Sequence, residues 1–114
     1  KRSQSVIQRH RDVLFKCAER GVPIAFGTDA GCPFNPFDKS PYEMVLMVEA
    51  GLTPRQALQA ATVGSADLMG LGDRLGSLHI GKNASFVALN ANPLDDINAV
   101  TDAHAVYLDG QLVE

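Results

Sequence analysis

The chain has 114 residues, of which 46% are hydrophobic, and this composition is typical of one globular domain with a modest core. With 10 Lys and Arg residues against 13 Asp and Glu residues, its formal net charge is −3. Neither sign of charge forms a long run, and the apolar runs are far shorter than the roughly 18 to 20 residues of a membrane span. The composition therefore predicts that neither nucleic acid nor a membrane is a partner.

The N-terminal part predicts a helix followed by a buried strand. From Ser5 to Glu19 apolar residues recur at helical spacing, and Gly21 follows as a C-terminal stop. Residues 22–26 (Val-Pro-Ile-Ala-Phe) are apolar without alternation and are closed by Gly27, which is typical of a parallel strand buried on both faces. A helix and a buried strand together make half of an α/β repeat.

Two further helices are predicted after a loop over residues 30–39. Residues 40–43 (Ser-Pro-Tyr-Glu) and 53–56 (Thr-Pro-Arg-Gln) each place a hydroxyl at the N-cap, proline at the first helical position and Glu or Gln at the third. The first of these helices is expected to end at Gly51, and the second at residues 70–72.

The C-terminal third predicts a small antiparallel sheet. Residues 84–89 and 105–108 are strand candidates, and residues 97–100 form a short extended or turn segment. Asp109-Gly110 lies between two apolar pairs, and such a pair of residues tolerates the positive φ angles of a two-residue hairpin turn.

Asp29 is the candidate functional residue, because it follows the predicted strand directly. The carboxyl ends of parallel strands are where open α/β sheets and barrels collect their catalytic groups. A purely structural interpretation stays open beside the catalytic one, in which Thr28 and Asp29 only cap a turn.

Several motifs with a fixed order resemble the amidohydrolase superfamily. They are FGTDAG at residues 26–31, EAGLTP at 49–54, ALQAAT at 57–62, LGSL at 75–78, IGKNA at 80–84 and NPLDDI at 92–97. The resemblance is closest to the imidazolonepropionase-like and Xaa-Pro dipeptidase-like members. It covers nearly the whole chain, and the ordered set of motifs is far more specific than any one of them.

The resemblance implies an α/β fold that is the C-terminal portion of a larger enzyme. Residues 1–76 would be the last helix and strand of a metal-dependent (β/α)8 TIM barrel, which takes roughly 250 residues in full. Residues 77–114 would form part of the flanking β-sandwich. The start at Lys1 instead of Met, without a secretory segment, agrees with an internal start in a longer protein.

The same resemblance implies a metal-dependent hydrolase that cleaves the C–N bond of a small amide, dipeptide or cyclic imide. In this family one or two divalent metal ions, here expected to be zinc, lie at the top of the barrel. Asp29 would be both a metal ligand and the general base that takes a proton from the attacking water. No substrate-binding residue is assigned.

The other ligands expected for such a site have no counterpart in the chain. His10, His79 and His104 lack the spacing of metal-binding pairs, so none is assigned any chemistry. One aspartate does not make a catalytic zinc site, which uses about three protein ligands. Cys32 in the following loop is interpreted as a buried structural thiol in preference to a reactive one.

Two hypotheses of different classes follow. In the first, the parent protein is an amidohydrolase in which Asp29 is catalytic. In the alternative, the 114 residues are catalytically incomplete and act only as a structural or self-associating module. The alternative predicts an oligomer or aggregate without bound metal. This chain alone is expected to be inactive, a homo-oligomer is the expected assembly, and the two cysteines favour a reducing cytoplasm.

Overall fold

A computed structural model describes the backbone of residues 2–113 and the side chains of residues 4–113. The helices are α1 (Arg2–Glu19), α2 (Tyr42–Glu49), α3 (Pro54–Gln59) and α4 (Ser65–Leu68), and the strands are β1 (Phe86–Leu89), β2 (Ala103–Leu108) and β3 (Gln111–Leu112). A π-helical turn over Ala60–Gly64 joins α3 to α4, and 3-10 helices span Phe37–Lys39 and Ile97–Thr101. Within residues 2–113 no helix combines the length and the hydropathy that a membrane crossing requires.

Helix α1 confirms the first predicted helix, but only its C-terminal half is packed. Leu14 and Ala18 contact the main core, whereas Val6 and Ile7 are more than half exposed. The apolar stripe of the N-terminal half therefore faces solvent in this chain.

The prediction of a buried parallel strand over residues 22–26 is wrong for this chain taken by itself. No strand is assigned there, Val22 is 48% exposed, and the N–H groups of Ile24 and Ala25 find no partner in the part of the chain that the structure describes. A parallel strand needs neighbours on which to form its hydrogen-bond ladder, and residues 2–113 supply none. Contacts with side chains hold the segment in place instead of a hydrogen-bond ladder.

The predicted cap of the first internal helix is also wrong. Ser40 has helical backbone angles (φ −53°, ψ −39°) because it closes the 3-10 helix Phe37–Lys39, whereas a capping residue needs an extended backbone. The N-cap position of α2 falls on Pro41, which offers no side-chain hydrogen bond.

The second predicted start is confirmed in detail. The Gln56 N–H donates to Thr53 Oγ1 over 3.2 Å, and the Thr53 N–H donates to Gln56 Oε1 over 2.8 Å, which is a reciprocal capping box. The helical run continues through the π turn and α4 to Leu68, close to the predicted end, although no sequence signal predicted the π turn.

Helix α2 lies between two core clusters. One face places Met47 against Leu52, Ala57 and Ala60, and the segment 22–26 packs on this cluster through Ile24 and Phe26. The other face places Val45 against Ile97 and Val100 of the second 3-10 helix. Because Met44 and Val48 contact both clusters, α2 ties the C-terminal part of the chain to the rest.

The antiparallel sheet, in the order β1-β2-β3, confirms the predicted β character of the C-terminal third. Phe86 pairs with Tyr107, and their rings stack with centroids 4.6 Å apart. Asp109 (φ +49°) and Gly110 (φ +82°) make the tight turn between β2 and β3, as a type I′ hairpin requires.

The segment predicted as extended or turn at 97–100 is part of the 3-10 helix Ile97–Thr101, in which Asp96 caps the N–H group of the second residue, Asn98. The Asn98 side chain and backbone N–H both donate to Asp96 Oδ1 over 2.9 Å. These hydrogen bonds, the side-chain bond foremost, hold the pKa of Asp96 below its ordinary value.

Glu43 on α2 is a partly buried carboxyl without a hydrogen bond or ion pair in the described part of the chain. Burial raises its pKa above the ordinary value of 4.5, since partial removal of water disfavours the charged form.

We predict that Thr53→Ala lowers the free energy of unfolding by about 1 kcal/mol, because one N–H group of α3 loses its cap. The same change at the superficially equivalent position, Ser40→Ala, should cost about 0.5 kcal/mol or less, since Ser40 caps no helix and its hydroxyl makes only a long contact of 3.5 Å with Thr28 Oγ1 among the described residues. Urea unfolding of the protein and both variants measures the difference. An equal loss of unfolding free energy in the two variants would contradict the assigned helix starts.

We predict that Glu43→Gln raises the Tm at pH 7 and does not do so at pH 3.5. The folded-state pKa is raised, so the contribution of Glu43 to stability is fully present below its unfolded pKa and is lost as pH rises through the folded value. Thermal melts followed by circular dichroism at the two pH values check this. An equal rise of the Tm at both pH values would show that the charge of the Glu43 carboxyl does not cause the change in stability.

Candidate functional site

Asp29 lies at the tip of the turn that follows the segment 22–26. Its side chain is exposed and makes no hydrogen bond or ion pair with any other described residue. Its backbone has φ +50°, a left-handed conformation that Asp tolerates better than most residues but that still costs about 1 kcal/mol. The carboxylate is therefore free to contact a ligand or a neighbouring part of a larger protein.

Thr28, next to Asp29, is held from two sides. Its carbonyl oxygen accepts a hydrogen bond from Asn35 Nδ2 over 2.5 Å, and its hydroxyl lies 3.5 Å from Ser40 Oγ. The same hydroxyl accepts a longer bond of 3.3 Å from the Ala30 N–H. Thr28 thus caps the turn, as the structural interpretation held, but the Asp29 carboxylate takes no part in that cap.

The loop after Asp29 closes on itself. The Gly31 N–H donates to the Asn35 carbonyl over 2.9 Å, and the Asn35 N–H donates to the Cys32 carbonyl over 3.0 Å. Cys32 is a free and exposed thiol, so the prediction that it is buried is wrong. The Phe34 ring projects fully into solvent from a residue with φ +68°.

A groove of about 300 Å³ separates this loop from α2. Thr28 is one of its lining residues, Lys39 and Glu43 supply one charge of each sign, and the apolar lining consists of Phe34, Pro36, Tyr42 and Leu46. Asp29 itself does not line the groove but adjoins it through Thr28. The groove is thus a concave surface beside the turn that carries the candidate carboxylate.

The donor set of the described residues does not make a metal centre by itself. No group of three His, Cys, Asp or Glu side chains in positions 4–113 is close enough to hold an ion. His10, His79 and His104 are all exposed, and His79 Nδ1 lies 2.9 Å from Ser77 Oγ. Asp29 can therefore supply one carboxylate ligand, and further ligands are needed to complete a metal site.

Ser65 is a contact of this region that the sequence did not reveal. Its hydroxyl accepts a hydrogen bond of 3.0 Å from the N–H of Phe26, three residues before Asp29. Residues 57–66 form a run that is rich in small side chains, and Gly64 within it approaches the segment 22–26 closely. Nothing in the sequence of this run indicated which of its hydroxyl groups bonds to the segment 22–26.

Solved structures reproduce this arrangement of helices, loop and sheet. A Xaa-Pro dipeptidase crystallised with methionine in its active site superposes with a TM-score of 0.83 and 40% identity, over 91% of this chain and 25% of that chain. Molinate hydrolase superposes with a TM-score of 0.84 and 28% identity, over 92% of this chain and 26% of that chain.

Comparison of sequences points the same way. The imidazolonepropionase of Deinococcus deserti is 39% identical over 80 residues, which cover 69% of this chain and 20% of that protein. The chain thus spans about a fifth to a quarter of the length of these relatives. Residues 1–113 match the sequence profile of the Amidohydrolase family, and the chain therefore belongs to this family.

Proposed function

We propose that this chain is the C-terminal part of a metal-dependent hydrolase that cleaves C–N bonds, with Asp29 as a metal ligand and general base. Membership of the Amidohydrolase family and the likeness to an imidazolonepropionase and a Xaa-Pro dipeptidase support this class of reaction. The observation that carries the assignment is the free, exposed Asp29 carboxylate at the end of the segment 22–26.

The unpaired backbone of that segment supports a barrel. The N–H groups of Ile24 and Ala25 have no partner among residues 2–113, and strands on either side would pair with them. In such a barrel Asp29 would stand at the carboxyl end of its strand, where catalytic groups collect. Residues 1–76 would then be the last helix and strand of the barrel, and residues 77–114 part of a β-sandwich. Lys1 and Glu114 lie outside the described residues.

The chemistry of Asp29 follows from its carboxylate. A divalent ion, zinc being the expected one, would supply Lewis acidity at such a centre. Asp29 would contribute one oxygen donor, and one or two ions would need further ligands from outside residues 2–113. The second role of the carboxylate is to accept a proton from water and return it to the leaving nitrogen.

The substrate class is a small amide, dipeptide or cyclic imide. The groove beside Thr28 is of a size that suits a small molecule, and its apolar wall with one charge of each sign suits an apolar group next to a charged one. We expect the enzyme to act in the cytoplasm.

The alternative function, a structural or self-associating module, draws on a different observation. Large apolar side chains are exposed on several elements, among them Leu68, Met69, Leu78 and Ile80. Such a surface favours association with a further copy or with other parts of a protein. The experiment on Asp29 separates the two candidates.

We predict that Asp29→Asn, made in the longer polypeptide that carries this chain, lowers turnover by about 10² to 10⁴-fold, the usual contribution of a general base. Asparagine keeps the size of the side chain but cannot hold a negative charge or take up the proton. Hydrolysis of C-terminal-proline dipeptides and of imidazolonepropionate measures the effect.

Asp73→Asn is the matched control, because Asp73 is also exposed and its side chain makes no hydrogen bond or ion pair with the Asp29 loop in the described residues. It should leave turnover unchanged. Full activity of the Asp29→Asn variant would overturn the role of Asp29. Absence of any hydrolysis in the unmodified protein, on the whole panel and with added zinc, would favour the structural module.

A further inference from the structure

The π turn at Ala60–Gly64 changes which groups face the segment 22–26. Its extra residue per turn directs the Ser65 N–H to the Ala60 carbonyl, five residues earlier, and the Ser65 hydroxyl donates to the same oxygen over 2.8 Å. With its donor used in this way, Ser65 Oγ is oriented to accept the Phe26 N–H over 3.0 Å. Single π turns in helices are frequently found at functional sites.

Gly64 allows this helix to approach the segment closely. A Cβ atom built on Gly64 would lie 2.5 Å from the carbonyl oxygen of Ile24 and 3.2 Å from that of Gln59. Both are backbone atoms, so any side chain at position 64 would push the helix and the segment apart. Gly64 thus lets the helix lie close to the backbone of Ile24, and Ser65 makes a hydrogen bond to the backbone of Phe26.

The turn that carries Asp29 is therefore fixed at both ends. Upstream, Ser65 holds the N–H of Phe26, and downstream, Asn35 and Ser40 hold Thr28. Only Gly27 lies between these two anchors, and Asp29 follows directly. No hydrogen bond of its own carboxylate fixes Asp29, so these anchors are what determines where the carboxylate stands.

We propose that Ser65 is a positioning residue for Asp29: through the Phe26 N–H it sets the place from which the Asp29 carboxylate acts. This inference deepens the proposed function and rests on it. Reacting groups displaced by about 1 Å can lose about a hundredfold in rate, so one anchoring bond is enough to matter.

The test is Ser65→Ala in the longer polypeptide, with two separate measurements. Amide hydrogen exchange should become faster in residues 24–30 while that of α2 stays unchanged, because only the segment loses an anchor. The kcat per folded, metal-loaded molecule should fall by about tenfold to a hundredfold, with a much smaller change in KM. Ser65→Thr, which keeps the hydroxyl, should restore most of both.

Thr62→Ala is the matched control. The Thr62 hydroxyl lies in the same π turn and, among the described residues, bonds only to the Leu58 carbonyl over 2.7 Å and not to the segment 22–26. Its loss should cost a similar amount of stability without a change in kcat. An equal fall of kcat in both variants would reduce Ser65 to a structural residue and overturn the proposal, as would faster exchange throughout the protein.

The failures of the two proposals are distinguishable. If Asp29→Asn abolishes turnover and Ser65→Ala leaves kcat unchanged, the function stands and the positioning role is overturned. If Asp29→Asn keeps full activity, the function itself is overturned, and with it the positioning role, whatever the exchange of residues 24–30 shows.

Discussion

The segment 22–26 is an apolar stretch without a neighbouring strand, and the rest of the candidate site depends on how it is held. A lone strand cannot satisfy its own backbone groups, so the segment packs on the core through Ile24 and Phe26 and gives one N–H to Ser65. The loop that begins at Thr28 is anchored separately. Side chains of the following helices thus hold the segment in place, as a hydrogen-bond ladder holds a strand within a sheet.

Helix α2 connects the packing around the segment 22–26 with the C-terminal part of the chain. One face of the helix covers the cluster on which the segment rests, and the other packs Val45 on Ile97 and Val100. The N-terminal end of the same helix forms a wall of the groove beside Thr28. A change in the packing of α2 would therefore alter the core, the groove and the attachment of the sheet together.

The sequence predicted local structure best where a few adjacent residues decide it. Thr53 and Gln56 satisfy each other's backbone groups, and the Asp109-Gly110 turn needs only its own φ angles, so both were found correctly. Ser40 carries the same capping signature but fails, because the 3-10 helix before it fixes its backbone. The strand at 22–26 fails for a longer-range reason, since a ladder needs partner strands that residues 2–113 do not contain. Asp29 was singled out by its position after this segment, whereas Ser65 was missed because its role depends on a π turn and on a contact 39 residues away.

Whether the Asp29 carboxylate is a metal ligand can be decided by a crystal structure of the longer polypeptide grown with zinc. Anomalous scattering at the zinc edge locates the ion independently of any assumption about its ligands. We expect an anomalous peak about 2.0 to 2.2 Å from an oxygen of Asp29, with the Phe26 N–H still bonded to Ser65 Oγ. A zinc ion bound elsewhere, with the Asp29 carboxylate turned away from it, would show that Asp29 is not a metal ligand.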